Sequence, residues 1–522
     1  MNRLATSALV GLASLGAVVQ ADPARPRLVV GIVVDQLRTD YIDYLQTWFG
    51  QEGFRRLIRD GAYLRDVDFK TDGLDAASAT AMLYTGAYPA RTGVSSAMIY
   101  DYAGGAFHPA LADAKGATLT NDSFTPEALR LTTVADEIAV DGNGAAQIYS
   151  VAFDPQQAVA MAGHAGPSAL WINNPTGYWA TTSYYGVLPS YASTRNFRNS
   201  LSERIDTMAW RPCAALQGVD AISRAKKAAP FRYTFPRSDR DVYRRLGATP
   251  YANAEVTDMA IEIIRNLSLT PDQGTVGMLN VAYSAAPYRY AQGNGRAELT
   301  DLYLRLDGQL GRLLSAIDKY IGADNALIWV TSTGYYNEAV TEDKRYRLPG
   351  GEFSTARAKS LLNSYLSARH GNAGYVGAIR NGQIYLDRRV LEEKRLDPEA
   401  VTRDARDFIV KMSGIDEAYT LGQILAPSTD EERALSRRLD PRHTGDIFLT
   451  FTPGWTVNED EEFPVSSKQI RESAVMTPAF LMGPGITVQT LSDPVDATAL
   501  APTVTGILRI RAPSGSRSRS LF

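Results

Sequence analysis

Arg27-Leu28-Val29-Val30-Gly31-Ile32-Val33-Val34-Asp35-Gln36 is the stretch that decides the fold. From Leu28 to Val34 every residue is apolar or glycine, and the run stops at an acid, Asp35. A strand covered by helices on both faces has no solvent side, so it loses the apolar/polar alternation and keeps a bare Val/Ile run. In open α/β sheets the chemistry lies outside the carboxyl ends of the strands, which puts Asp35 where a ligand or metal would be held. The same position also suits an N-cap for a helix predicted from Thr39 to Phe49, and both readings stay open at this point.

Outward from that strand, the chain of 522 residues is long enough for two to four folding units at about 150 residues each. An apolar share of 45% and a charged share of 21% describe a globular chain able to bury a sizeable core. A net charge of −3 excludes partners held by bulk charge, so no nucleic acid is expected. Asn2 and Arg3 lead into Leu4–Val19, and Val19-Gln20-Ala21 closes the run: a secretory signal cleaved after Ala21, occupying residues 1–21. Thr6, Ser7, Gly11, Ser14 and Gly16 dilute it too far for a membrane anchor, so no transmembrane segment is expected after cleavage. Cys213 is the only cysteine, which rules out an internal disulfide.

Ala76 to Tyr84 reads as a helix stopped at Thr85-Gly86. Val276–Tyr283 is a second buried strand, Ala326–Thr331 a third, and a long amphipathic helix lies between them from Arg296 to Ile321. Phe353–Arg369 reads as helix, Ala378–Asp387 as a hairpin turning at Asn381-Gly382, and Ala499–Leu508 as a closing helix. Residues 100–268 are rich in Gly, Pro, Tyr and Asn, with few clean strand signals. The expected architecture is α/β: a mostly parallel central sheet flanked by helices, built from residues 22–99 and 269–522, with 100–268 as a large inserted cap.

The strand ending Val34-Asp35-Gln36, the helix ending Leu83-Tyr84-Thr85-Gly86, and Tyr88-Pro89-Ala90-Arg91-Thr92-Gly93-Val94 resemble the opening of the alkaline phosphatase superfamily. Ala162-Gly163-His164, Thr176-Gly177-Tyr178-Trp179, Tyr303-Leu304-Arg305-Leu306-Asp307 and Ala501-Pro502-Thr503-Val504 continue the resemblance in order. Within the superfamily the chain is most similar to the periplasmic phosphate-irrepressible alkaline phosphatases, neighbours of the type I phosphodiesterase/nucleotide pyrophosphatases. The resemblance implies an alkaline-phosphatase-like fold and a periplasmic destination. For active members it also implies two zinc ions held by aspartates and histidines around a Thr or Ser nucleophile.

Placed on that pattern, the chain lacks the chemistry. The nucleophile position falls on Ala76; two ligand positions after the second strand fall on Ala285 and Arg289; the Asp-His pair after the third falls on Ser332-Thr333; and a C-terminal histidine falls on Met476. A Lys-x-Arg pair that reads phosphate falls on Asp154-Pro155-Gln156, and its polar partner on about Ala97. Of the ligand set only Asp35 is retained. His108, His164, His370 and His443 are all the histidines present, and none follows a core strand. Ser78 and Thr80 lie along the same helix as Ala76, too far displaced to replace the nucleophile.

The expected vestigial cleft is therefore Asp35, Ala76, Ala285, Arg289, Thr333 and Met476, with no catalytic residue, no metal and no cofactor. Unpaired clustered carboxylates left by two departed cations are unfavourable, so joint replacement is what an abandoned metal site should look like. The leading reading is an exported pseudoenzyme that binds a small ligand or joins an envelope assembly. The alternative is an active metal-dependent phosphomonoesterase or phosphodiesterase with an atypical site and two zinc ions. A third is a carbohydrate or peptidoglycan binder, given 27 tyrosines. Arg289 is expected either to pair with Asp35 or to turn outward beside it, leaving an anion-accepting mouth.

Overall fold

A computed structural model describes residues 25–113, 122–218, 231–269, 275–291, 295–337, 350–440, 442–459 and 475–522, with the backbone of 466–469. Residues 1–21, read above as a secretory signal, lie outside the described residues. Five adjacent parallel strands run through the main sheet of nine, and the opening stretch is the middle strand of the nine. In chain order the strands of that sheet are β1 (Leu28–Asp35), β2 (Ala62–Leu64), β3 (Ile148–Val151), β4 (Ser168–Ile172), β5 (Trp179–Ala180), β6 (Gly277–Ser284), β7 (Ala326–Ser332), β8 (Ala479–Met482) and β9 (Gln489–Leu491). Their spatial order is β9-β2-β8-β7-β1-β6-β3-β4-β5, and only β8 and β5 run against the rest.

The unbroken apolar run of β1 has a direct physical cause. Leu28, Val30, Ile32 and Val34 face one hydrophobic core while Val29 and Val33 face a second on the opposite side. Helices α4 (Pro250–Asn266) and α5 (Arg296–Tyr320) contribute to the first core; α2 (Ala76–Thr85) and α3 (Pro155–Ala162) contribute to the second. Gly31 is the exception in the strand because no side chain fits there: a Cβ would lie 2.4 Å from Tyr84 Oη and 2.8 Å from Trp329 Nε1.

The inserted-cap expectation for 100–268 is corrected. That region supplies β3, β4 and β5, three strands of the main sheet, together with α3 and α4. Strands of four, five and two residues between glycine-rich loops carry too short an apolar run to stand out from their surroundings. A separate module occupies the later part of the chain instead. Strands Val376–Arg380, Gln383–Leu386, Ile447–Phe451 and Ile415–Thr420 form a four-stranded antiparallel sheet, in that order. Helices Thr355–His370 and Pro398–Ile409 close a third core with it. The Asn381-Gly382 hairpin forms as expected, both residues having positive φ (49° and 67°), as a tight two-residue turn requires.

Candidate functional site

Register alone brings the candidate residues to one sheet edge. Asp35 pairs with Ser284 across β1 and β6, and Val34 pairs with Ser332 across β1 and β7. Asp35, Ala285 and Thr333 therefore leave three adjacent parallel strands at the same level, and Asp154 follows β3 one strand further along. α2 starts beside them, with Ala76 as its first residue and Asp75 as its N-cap. Asp35, Asp75, Ala76, Asp154, Arg289 and Tyr335 all line one cleft of about 660 Å³. Arg380 and Asn381 of the four-stranded module also line it, together with Glu459, which ends the strand Thr456–Glu459 of a separate three-stranded sheet, so residues from the later part of the chain cover this face.

Asp35 is held by neutral donors. Thr333 Oγ1 donates to Oδ1 at 2.9 Å, Gln36 Nε2 donates to Oδ2 at 3.3 Å, and the Tyr335 hydroxyl donates as well. Burial holds the Asp35 carboxyl above the ordinary carboxylate range, and the hydrogen bonds from Tyr335, Thr333 and Gln36 pull against it. The chain turns sharply just after Asp35, with Gln36 at φ 59°. That conformation is fixed twice, by Gln36 N–H donating to Thr333 Oγ1 at 2.9 Å and Asn337 N–H donating to Gln36 Oε1 at 2.8 Å. Thr333 Oγ1 is thus a hub, accepting from a backbone amide and donating to the carboxylate.

Asp75 is satisfied just as fully. It accepts from Ser78 N, Ser78 Oγ, Ser96 Oγ and Ala97 N at 2.6–3.0 Å. Ser78 is consequently locked in a capping box, and Thr80 Oγ1 donates to the Ala76 carbonyl at 2.6 Å. Both hydroxyls are fully buried, so neither reaches the cleft as a nucleophile. Asp154 caps α3, where Gln157 N donates to Oδ1 at 3.0 Å. Its carboxyl is pushed up to about 6 by its desolvating surroundings, and the neighbouring Asp35 and Asp75 charges add to the rise; the side chain still reaches water through the cleft.

Three of the expected cleft residues do not line the cleft: Ala285, Met476 and Thr333, the last fully buried and bonded to Asp35. Ala285 is fully buried behind the floor, its N–H donating to the Asp35 carbonyl at 2.8 Å. Met476 is not on the cleft: its carbonyl accepts from Thr39 N at 3.0 Å and its side chain is 42% exposed. It precedes the reversed strand β8, whose entry is tied to α1 (Thr39–Leu45) rather than to the cleft. Arg289 does not pair with Asp35; it stands exposed in the cleft lining and makes no hydrogen bond or ion pair among the described residues. Asp75 and Tyr335 were not singled out by sequence. Asp75 carried a readable signal, an Asp three residues before Ser78 at a helix start; Tyr335 lies in a loop and carried none.

A zinc pair does not fit these residues. Among the described residues no group of three or more His, Cys, Asp or Glu side chains is arranged to hold a metal ion. The lone pairs of Asp35 and Asp75 already accept from hydroxyls and amides. The histidines are structural: His164 Nδ1 lies 3.1 Å from Asp136, His370 Nε2 lies 2.9 Å from Asp404, and His108 packs edge-on against His443. Asp136 raises the His164 imidazole above its ordinary range.

A mixed sheet with its site at the carboxyl ends of the central strands, one helix N-terminus on the floor and a second module over it, is the alkaline-phosphatase-like α/β fold. A crystal structure of wild-type alkaline phosphatase PafA superposes with a TM-score of 0.83 at 24% identity, covering 95% of this chain and 98% of that one. The profile of the type I phosphodiesterase / nucleotide pyrophosphatase family matches residues 29–474, and the chain belongs to that family. Alkaline phosphatase PafA of Elizabethkingia meningoseptica is 26% identical, over 94% of this chain and 93% of that protein. Alkaline phosphatase PhoV of Synechococcus elongatus is 25% identical, over 94% and 92%.

Proposed function

We propose that this protein is an exported member of the superfamily that has given up phosphate-ester hydrolysis and uses the cleft to bind a small ligand in the cell envelope. The observation that carries the reading is Asp35. The one retained carboxylate of the ligand set accepts from Thr333, Tyr335 and Gln36, and the residue at the nucleophile position beside it is Ala76. Hydroxyl donors at a buried carboxylate do the electrostatic work a cation would do, so the pocket is stable without one. Replacement of the phosphate-reading basic pair by Asp154-Pro155-Gln156 supports the same reading, because a carboxylate repels a phosphate dianion. Export rests on residues 1–21, and the periplasm is the proposed destination.

The test is elemental analysis of the purified full chain together with assays on p-nitrophenyl phosphate and bis-p-nitrophenyl phosphate. The expected result is zinc well below one equivalent and no turnover above background. Stoichiometric zinc with metal-dependent turnover would establish the other reading, an active phosphomonoesterase or phosphodiesterase with an unfamiliar site. Cell fractionation of a tagged full-length protein tests export; recovery with the cytoplasm and an uncleaved N-terminus would refute it.

A further inference from the structure

The cleft carries charges of both signs. Asp35, Asp75 and Asp154 all line it. Asp35 and Asp75 are saturated by protein donors. Asp154 is not: only the Gln156 and Gln157 amides of the helix it caps reach it, and no side chain among the described residues donates to it. It is also accessible from the cleft, so acceptor capacity is left facing the ligand space.

The β6-exit segment of the lining offers the complement. Arg289 presents a guanidinium with no partner among the described residues. Tyr288, one residue earlier, is 2% exposed, and its hydroxyl makes no hydrogen bond of proper geometry, with Arg245 as its polar neighbour. A buried hydroxyl facing only a poorly aligned guanidinium keeps hydrogen-bonding capacity to spare. The other two arginines of the lining are engaged: Arg244 pairs with Asp241 and Arg380 lies over Phe107. Phe153, Tyr290 and Tyr335 supply flat apolar surface between these polar groups.

We infer that the cleft takes a small amino-carboxylate, its ammonium directed to Asp154 and its carboxylate to Arg289 and the Tyr288 hydroxyl. The inference rests on the non-hydrolytic reading of the same cleft. A phosphate ester would meet the same arginine but bring a dianion against Asp154, whereas a ligand carrying one charge of each sign satisfies both charges. The cleft of about 660 Å³ has room for such a ligand.

The experiment is calorimetric titration of the full mature chain with linear ω-amino carboxylates of graded length, from β-alanine to 8-aminooctanoate. Hexylamine, hexanoate and inorganic phosphate are the single-charge controls. The expected result is an optimum at one length, with the best zwitterion binding at least tenfold tighter than either organic control. Asp154→Asn should then reduce that zwitterion to the affinity of hexanoate, and Arg289→Ala should reduce it to the affinity of hexylamine. Circular dichroism of both variants checks that the fold is retained. Absence of binding across the series, a flat length dependence, or phosphate binding tighter than every zwitterion would overturn the inference. Zinc content and p-nitrophenyl phosphate turnover on the same preparation separate the two failures. A metal-free, inert protein without zwitterion preference sinks this inference alone, while a zinc-loaded hydrolase sinks the non-hydrolytic reading with it.

Discussion

Thr333→Val is the sharpest probe of how the Asp35 carboxylate is held. The substitution keeps the shape of the side chain and removes only the hydroxyl, which is fully buried. Two hydrogen bonds go with it, each of 2.9 Å: the one donated to Asp35 Oδ1 and the one accepted from Gln36 N. A hydrogen bond to a charged group contributes about 1.5–3 kcal/mol, and a buried N–H left without an acceptor costs about 1–3 kcal/mol. The expected destabilisation near neutral pH is therefore about 2.5–6 kcal/mol, measured by urea denaturation of the mature chain. The effect should depend on pH with a defined sign. Burial holds the folded-state carboxyl of Asp35 above its unfolded value, so its contribution to stability is present in acid and lost as pH rises through the folded value. Losing a donor that favours the ionised form raises that value further and widens the window of loss. The difference between wild type and Thr333→Val should thus shrink as pH falls below the folded value of Asp35, where the carboxyl is protonated in both proteins and only the amide remains affected. Thr333→Ser, which retains the hydroxyl, should lose less than about 1 kcal/mol. A loss below about 1 kcal/mol for Thr333→Val, equal in acid and at neutrality, would refute the view that hydroxyl donors stabilise the carboxylate.

Gly31→Ala would set a Cβ against Tyr84 Oη, Trp329 Nε1 and Asn280 Oδ1 at 2.4, 2.8 and 3.1 Å, in a strand buried on both faces. A loss of about 1–3 kcal/mol or more in denaturant unfolding is expected, and a neutral result would mean that those three side chains have room to move. Asp154→Asn keeps an oxygen to cap α3 but removes a carboxyl held up at about 6. The wild-type carboxyl loses stability as pH rises through that value, so the variant should be the more stable above it and equal near about pH 4. Water in the cleft screens the effect to on the order of 1 kcal/mol, and thermal melts across that range check both sign and window. Arg289→Ala should change unfolding free energy by less than about 0.5 kcal/mol, as its exposed, unpartnered guanidinium implies; a larger loss would reveal a partner inside the cleft.

The sequence by itself determined the fold class and the residue types available to the candidate site. A seven-residue apolar run ending in Asp35 needs helices on both faces whatever the rest of the chain does, and chain composition leaves only four histidines to place. Positions such as Ala76 are legible because a side chain that lacks a nucleophile lacks it in any conformation. Tertiary structure alone decided how the carboxylates are satisfied. Thr333 and Asp35 are 298 residues apart, and only the parallel register of β7 beside β1 makes the hydroxyl a donor to the acid. Tyr335, in the loop after β7, is aimed by the same register. The placing of β3, β4 and β5 was likewise beyond local pattern. Short strands take their identity from the neighbours they pair with, and for Ile148–Val151 that neighbour, β6, lies more than a hundred residues downstream. Met476 shows the converse. The reversed strand β8 begins beside the carboxyl end of β7, Ala479 opposite Thr331, so the position matched by sequence reaches the right sheet edge, yet its backbone is tied to Thr39 and it does not line the cleft.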